Sequence, residues 1–184
     1  MQLYLIRHPQ PRDGVGRCYG RSDVSVDPAA VQEAAQDVRG RIPDSVLRES
    51  RIFSSPSARC VLLARELAAP RAPTLVDDLQ EMNFGAWEGQ HWGDVPREEL
   101  NAWAADVWCY RPGGAESAAM VAERWRRWSA AFSRSHAAAA VAVTHAGVIR
   151  VALSCAGRLS AASVLQETIA YGSVHCLELA CDAP

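Results

Sequence analysis

Short apolar runs alternate with stretches of helical period along this chain. Leu3-Tyr4-Leu5-Ile6 reads as a buried strand, and a polar loop rich in Gly and Pro follows to about Asp27. Asp27-Pro28 joins an N-cap residue to a Pro at the first helical position, which predicts a helix to about Arg41. Arg51-Ile52-Phe53-Ser54 is a second strand. Ser55-Pro56 repeats the cap-plus-Pro signal and opens a helix with apolar positions at Val61, Leu62, Leu63 and Leu67. Beyond Pro70 the pattern is broken by Gly85, Gly89, Gly93, Pro96, Pro112, Gly113 and Gly114, with one short helix expected from Pro96 to Asp106. A long helix is expected from about Ser117 to Ser135, then a third strand at Ala140-Val141-Ala142-Val143. Helices over Val148 to Ala156 and Ala161 to Ile169 precede an alternating edge strand, Val174 to Leu179.

Strands separated by helices imply βαβ units. The expected fold class is therefore α/β, a three-layer sandwich with a mostly parallel central sheet and helices on both faces. No internal repeat is present, and the 32 Ala read as helix filler. At 184 residues the chain fits a single domain, 1–184. Hydrophobic residues at 49% and charged residues at 22% are ordinary globular usage, which excludes disorder. A net charge of −2 sets up no general attraction to nucleic acid or to an acidic membrane.

The basic residues narrow the chemistry. All 19 are Arg, and Lys is absent. That removes the P-loop Lys, the kinase strand Lys and any Lys Schiff base. Anion chemistry must fall to Arg and His, and the planar guanidinium fork suits an oxyanion. The six Cys (Cys18, Cys60, Cys109, Cys155, Cys176 and Cys181) are widely spaced, with neither a CxxC pair nor zinc spacing, so free and mainly buried thiols are expected. The apolar stretch of MQLYLIRHPQP is too short for a signal peptide, and no uncharged run approaches the roughly 18 residues of a membrane span. A reduced, cytoplasmic enzyme is the expectation.

In an open α/β sheet, ligands bind beyond the carboxyl ends of the strands. The first strand ends in Arg7-His8. The second ends in Ser54-Ser55-Pro56, with Arg59 one turn into the next helix, and the third ends in Thr144-His145-Ala146-Gly147. Two Arg and two His thus converge on one edge, with a helix N-terminus beside them, which is a phosphate pocket by charge and position. Taken alone, a His after a strand is more often structural, and His91, His136 and His175 are read that way.

Four motifs in order, LIRH ending at His8, SSPSARC at 54–60, EMNFGAWEG at 81–89 and THAGVIR at 144–150, resemble the histidine phosphatase superfamily, the phosphoglycerate mutase-like group. The resemblance covers nearly the whole chain. It implies a metal-independent phosphatase with no cofactor, in which His8 is the nucleophile and passes through a phosphohistidine. Arg7, Arg59 and His145 would bind the three equatorial oxygens, where transition-state charge is spread. Glu81 would be the proton donor to the leaving alcohol and then the base toward water. Tyr19, Arg21 and Ala146 would join Arg7, Arg59 and His145 in substrate binding.

The chain also departs from that pattern. Pro9 stands where a Gly usually follows the nucleophile, Gln10-Pro11 replaces an acidic-Thr pair, and the expected Asn has no match, Gly14 lying nearest. A chain of this length has little room for the added segments of mutases, which favours net hydrolysis. Cys18-Tyr19-Gly20-Arg21-Ser22-Asp23, with EMNFGAWEG, looks most like α-ribazole phosphatases of cobalamin nucleotide-loop assembly. The segment 85–116 is expected to cap the pocket, and its Trp87, Trp92, Trp103, Trp108 and Tyr110 could stack on a flat base such as a benzimidazole or only pack a short helix. Trp125 and Trp128 are expected in the core or an interface. Rival readings are a broad phosphatase for sugar or amino-acid phosphates and a catalytically inactive phosphate-binding module. A small phosphomonoester is the expected partner. The sequence does not set the oligomeric state, for which a homodimer is the common default.

Overall fold

Three of the expected strands lie side by side in the computed structural model, which describes residues 1–133 and 137–179. They are β1 (Gln2–Arg7), β2 (Arg51–Ser54) and β4 (Ala139–Thr144), and with β3 (Thr74–Leu75) and β5 (Val174–Glu178) they form a sheet of order β3-β2-β4-β1-β5. All neighbours are parallel except β5, which runs antiparallel to β1 at one edge. The fold is α/β with helices on both faces, as expected.

The alternation of strand side chains sorts the two faces. Leu3 and Leu5 of β1, with Ala140 and Ala142 of β4, pack under α5 (Ala118–Ser133) and α6 (Ala146–Cys155) with Val121, Trp125, Trp128 and Ile149. Tyr4, Ile6, Val141 and Val143 face the other way, under α1 (Pro28–Arg39) and α3 (Ala58–Ala68) with Val38, Leu63 and Leu67. Strands covered on both sides must be apolar throughout, which is why β1 and β4 read as continuous runs. Phe53 of β2 meets Trp128 and Phe132 edge-on, with ring centroids 5.5 Å apart in both cases. Trp125 and Trp128 are core residues.

Helix starts follow local chemistry. The Asp27 carboxylate accepts the Ala29 N–H, and Pro28 opens α1. Ser55-Pro56 does not open the next helix. α3 begins at Ala58, whose N–H is taken at 3.2 Å by the Asp23 carboxylate from a distant loop, which frees Ser55 for another partner. Leu62 is an exposed position of α3, not part of its core face.

Other expectations need correction. Ala161 to Ile169 is not a helix: a single 3-10 turn spans Ala161–Ser163. Only Val164 and Ile169 of the stretch are buried, too few for a helical apolar face, and the carbonyls of Glu167 and Ile169 accept from the Arg150 and Arg7 side chains. A short helix, α2 (Asp44–Glu49), occupies a segment with no expected element; it buries only Leu47, too little periodicity to see. α4 (Arg97–Ala105) is the expected short helix. Of the Cys described, Cys18 and Cys60 are buried free thiols, but Cys109 and Cys155 are exposed. Trp108 packs against the main core and donates to the Ala161 carbonyl. The readings of His136 and Cys181 fall outside the described residues. No described helix is long and apolar enough to cross a membrane.

The two-sided core makes a direct prediction. Phe53→Ala should lower the unfolding free energy by about 3–5 kcal/mol, because it empties the space between Trp128 and Phe132. Leu62→Ala, at a surface position, should change it by about 0.5 kcal/mol or less. Urea unfolding of both variants checks the contrast.

Candidate active site

Because β2, β4 and β1 are parallel neighbours, their carboxyl ends open on one edge, and three segments deliver their polar residues together. The His8 N–H is tied to the Thr144 carbonyl at 3.0 Å and the Ser55 N–H to the Val143 carbonyl at 2.9 Å, so both loops leave the sheet in fixed register. A cavity of about 490 Å³ opens there, lined among others by Arg7, His8, Tyr19, Arg59, Glu81, Ala146, Arg150 and Tyr171.

His8 is almost fully buried, and its Nδ1 lies 2.7 Å from the Pro9 carbonyl oxygen. A carbonyl can only accept, so Nδ1 carries the proton and the lone pair sits on Nε2. Burial, then the charge of Arg59 and that of Arg7, push the imidazole pKa down to about 3, against the opposing pull of the Pro9 carbonyl. The ring is therefore neutral at ordinary pH, with a free nitrogen. Pro9 supplies the one group this bond needs, its C=O.

The two guanidiniums are held by dipoles. Arg59, fully buried, donates from Nη1 to the Ser22 carbonyl at 2.8 Å and from Nη2 to the Gly20 carbonyl at 2.5 Å. Arg7 donates from Nη1 to the Ile169 carbonyl at 2.5 Å and lies 3.6 Å over the Tyr171 ring. Neither forms an ion pair among the described residues, and the Nε–H of each is a buried donor with no protein partner. Arg150 also faces the cavity, its Nε bonded to the Glu167 carbonyl at 2.7 Å. Charge of this sign, buried and uncompensated, is an anion site.

His145 stands beneath His8, ring centroids 5.2 Å apart, fully buried and not on the cavity wall. Its Nε2 meets the Ser55 hydroxyl at 2.8 Å and the Cys60 thiol at 3.5 Å. Burial, then the neighbouring His8, Arg59, Arg124 and Arg7, hold it well below the usual imidazole range. Glu81 accepts the Met82 N–H at 2.9 Å and, at Oε2, the Gly147 N–H of α6 at 3.1 Å. A Cβ on Gly147 would lie 2.3 Å from Glu81 Oε1, so only glycine allows this approach. Ala146 begins α6 on the cavity wall, where N–H groups lack helical partners.

Tyr19 lines the cavity beside Gly14, with its hydroxyl 2.8 Å from that of Tyr171. Arg21, by contrast, does not line it. Its side chain turns to Glu116, 3.6 Å away, on a different surface cavity. Among the segment 85–116, Trp92 and Trp103 form part of the cavity wall together with Phe84, while Trp87 and Tyr110 pack behind them around Cys18 and Val95. His91 is exposed, and His175 is half-buried and bonded to Ser173. The sequence reading missed Ser55, Arg150 and Tyr171. The first two lie inside quoted motifs, and Tyr171 sits in a segment assigned no role. Among the described residues, no three His, Cys, Asp or Glu side chains converge as metal ligands would.

Comparison with known proteins decides the family. The model of the histidine phosphatase superfamily (branch 1) matches residues 3–184. The chain belongs to that superfamily. This histidine phosphatase is 28% identical over 162 residues to the adenosylcobalamin/α-ribazole phosphatase of Escherichia coli (strain K12), covering 84% of the chain and 78% of that relative. Its fold is that of the α-ribazole phosphatase from Shigella flexneri (TM-score 0.82, 24% identity, 98% of this chain and 91% of that one). It is also that of a phosphoserine phosphatase from Entamoeba histolytica in complex with 3-phosphoglyceric acid (TM-score 0.78, 19% identity, 95% and 89%). The enzyme is thus a phosphatase, of a family acting on small phosphorylated substrates.

The two depressed imidazoles tie stability to pH. Below the usual value of 6.5, the unfolded chain takes up protons that the folded phosphatase refuses at His8, whose imidazole is pushed down to about 3, and at His145, held well below the usual range. Stability should therefore fall as pH falls through that window, by up to about 1.4 kcal/mol per pH unit for each histidine. Urea midpoints from pH 7 to pH 5 check the sign, and His8→Gln should flatten the slope. A wild-type protein that gains stability on acidification contradicts the neutral-imidazole assignment.

Proposed function

We propose that the phosphatase hydrolyses phosphomonoesters without a metal, through a phosphohistidine on His8, and that its substrate is α-ribazole 5′-phosphate. The supporting observation is the neutral His8, its proton fixed on Nδ1 by the Pro9 carbonyl, with Nε2 free beside two guanidiniums that have no carboxylate partner. A neutral imidazole is a nucleophile, whereas an imidazolium is not.

In the first step Nε2 attacks phosphorus. The P–N bond forms as the bond to the leaving oxygen breaks, and that oxygen takes the proton of Glu81. Arg7 and Arg59 bind two of the equatorial oxygens, stabilising charge that spreads onto them, while His145, off the cavity wall beneath His8, keeps its Nε2 on the Ser55 hydroxyl. In the second step the Glu81 carboxylate takes a proton from water, the oxygen attacks phosphorus, and the P–N bond breaks to release phosphate and restore His8. Ala146 adds the first N–H of α6, and Tyr19 closes the wall beside Arg59, its ring 5.4 Å from that guanidinium.

For the leaving group, the likeness to the Escherichia coli phosphatase and the aromatic wall of Phe84, Trp92 and Trp103 favour a flat base on a ribose. The segment 85–116, which carries Trp92 and Trp103, acts as the cap. One observation favours a second reading: Arg150 is a further cation on the cavity wall besides Arg7 and Arg59, and it would suit a substrate with a second anionic group, such as phosphoserine.

Three measurements test this. His8→Ala should lose essentially all turnover of p-nitrophenyl phosphate, and no acid-labile phosphoenzyme should be trapped. Continued turnover by this variant refutes the His8 pathway. The kcat/KM for α-ribazole 5′-phosphate should exceed those for phosphoserine and 3-phosphoglycerate, and the reverse order selects the reading based on Arg150. Gly147→Ala, which drives a methyl group into Glu81, should lower kcat by about 10²-fold, the scale of losing a general acid, with a smaller penalty for the good leaving group p-nitrophenol.

A further inference from the structure

Two motifs quoted at the outset, CYGRSD and the end of EMNFGAWEG, meet in space at one carboxylate. Glu88 accepts five hydrogen bonds: from the N–H groups of Gly20 (3.1 Å), Arg21 (2.9 Å), Ser22 (3.0 Å) and Phe84 (3.1 Å), and from the Ser22 hydroxyl (2.5 Å). Burial pushes its pKa up, but the bonds from Ser22, Arg21 and Phe84 outweigh that, so it stays ionised below the usual glutamate range. The same loop, Gly20–Ser22, presents its carbonyls to the two Nη atoms of Arg59. Three N–H groups of the loop therefore point at a carboxylate while two of its carbonyls point at a guanidinium. There is no slack in the arrangement: a Cβ on Gly20 would lie 1.9 Å from the Met82 carbonyl oxygen and 2.5 Å from Glu88 Oε1.

We infer that Glu88 is a positioning residue for the phosphate grip: its carboxylate locks the loop Gly20–Ser22, and the carbonyls of that loop aim Arg59 into the cavity. The charges are arranged so that Arg59 is steered by a carboxylate it never touches. Direct pairing would neutralise the guanidinium and place a competing anion in the phosphate site. Relayed through two peptide units, the negative charge orders the loop and leaves the Nε–H of Arg59 without a protein partner. The inference rests on the reading of Arg59 as a phosphate ligand.

A double-mutant cycle separates the two claims. Arg59→Ala should reduce kcat/KM for p-nitrophenyl phosphate by about 10²-fold or more and raise the inhibition constant of inorganic phosphate. Glu88→Gln keeps the size of the side chain but puts an NH2 group among N–H donors. It should cost about tenfold in kcat/KM and weaken phosphate inhibition in parallel. In the Arg59→Ala background, Glu88→Gln should add nothing further, because there is no longer a guanidinium to aim. If Glu88→Gln does not fold, Ser22→Ala removes a single bond to Glu88 and should show a smaller effect of the same kind, again lost without Arg59. Additive losses, or a Glu88→Gln enzyme with unchanged phosphate inhibition, overturn the positioning role while leaving the grip intact. An Arg59→Ala enzyme with unchanged kcat/KM overturns the grip and the positioning role together.

Discussion

Burying a guanidinium without a carboxylate is a constraint that shapes everything around it. An ion leaving water loses several kcal/mol of solvation, and the usual remedy is a counter-ion. Arg59 is fully buried, yet its polar contacts are the carbonyls of Gly20 and Ser22, and Arg7 is held by the Ile169 carbonyl and the face of Tyr171. Carbonyl dipoles and a ring quadrupole solvate the charge without cancelling it. The consequence reaches the imidazoles. Burial and two uncancelled cations keep His8 and His145 neutral, and neutrality is what a nucleophilic imidazole requires. Under the proposed function, an arriving phosphate dianion would reverse the local field of the pocket.

That solution makes demands on segments far apart in the chain. The carbonyl that holds Arg7 belongs to residue 169, and those that hold Arg59 belong to residues 20 and 22. The stretch after Ala161 turns only once, as a 3-10 helix over Ala161–Ser163, and the carbonyls of Glu167 and Ile169 beyond it are taken by the Arg150 and Arg7 side chains. The loop of residues 20–22 in turn directs its N–H groups to Glu88, and the 81–84 segment is braced by Glu116, which accepts the Asn83 N–H and pairs with Arg124 at 2.8 Å. Irregular backbone near the site is ordered by two carboxylates off the cavity wall, half-buried Glu88 and buried Glu116.

The parts legible in the sequence are those governed by local rules. β1 and β4 announce themselves because burial on both faces forbids polar residues, and α1 because Asp27 and Pro28 cap it. The convergence of Arg7, His8, Arg59 and His145 could be anticipated because the ends of parallel strands share an edge. Glu81 needed the family resemblance, since a lone glutamate carries no local signature. What stayed hidden depends on long-range partners. Ser55 reads as a helix cap until Asp23 supplies the cap from a separate loop and leaves the Ser55 hydroxyl to His145. Arg21 is expected to bind substrate on the strength of the family resemblance, but with its peptide pinned on Glu88 its side chain turns toward Glu116. Tyr171 lies 163 residues from His8 in the numbering, and nothing local ties it to Arg7.

The departures from the family pattern fall on the same divide between backbone and side chain. Pro9 loses an N–H, but the bond that sets the His8 tautomer uses its carbonyl, which proline retains. Its ring also fixes φ, so the carbonyl that orients His8 belongs to a stiffer peptide than a glycine would provide. Where an Asn is expected, Gly14 leaves room against Tyr19, whose hydroxyl joins that of Tyr171 over Arg7. An amide donor is thus exchanged for an aromatic wall bearing a hydroxyl pair. Such a wall adds flat surface to the cavity. Under the proposed function, that exchange would suit a flat leaving group and a phosphate held by two guanidiniums.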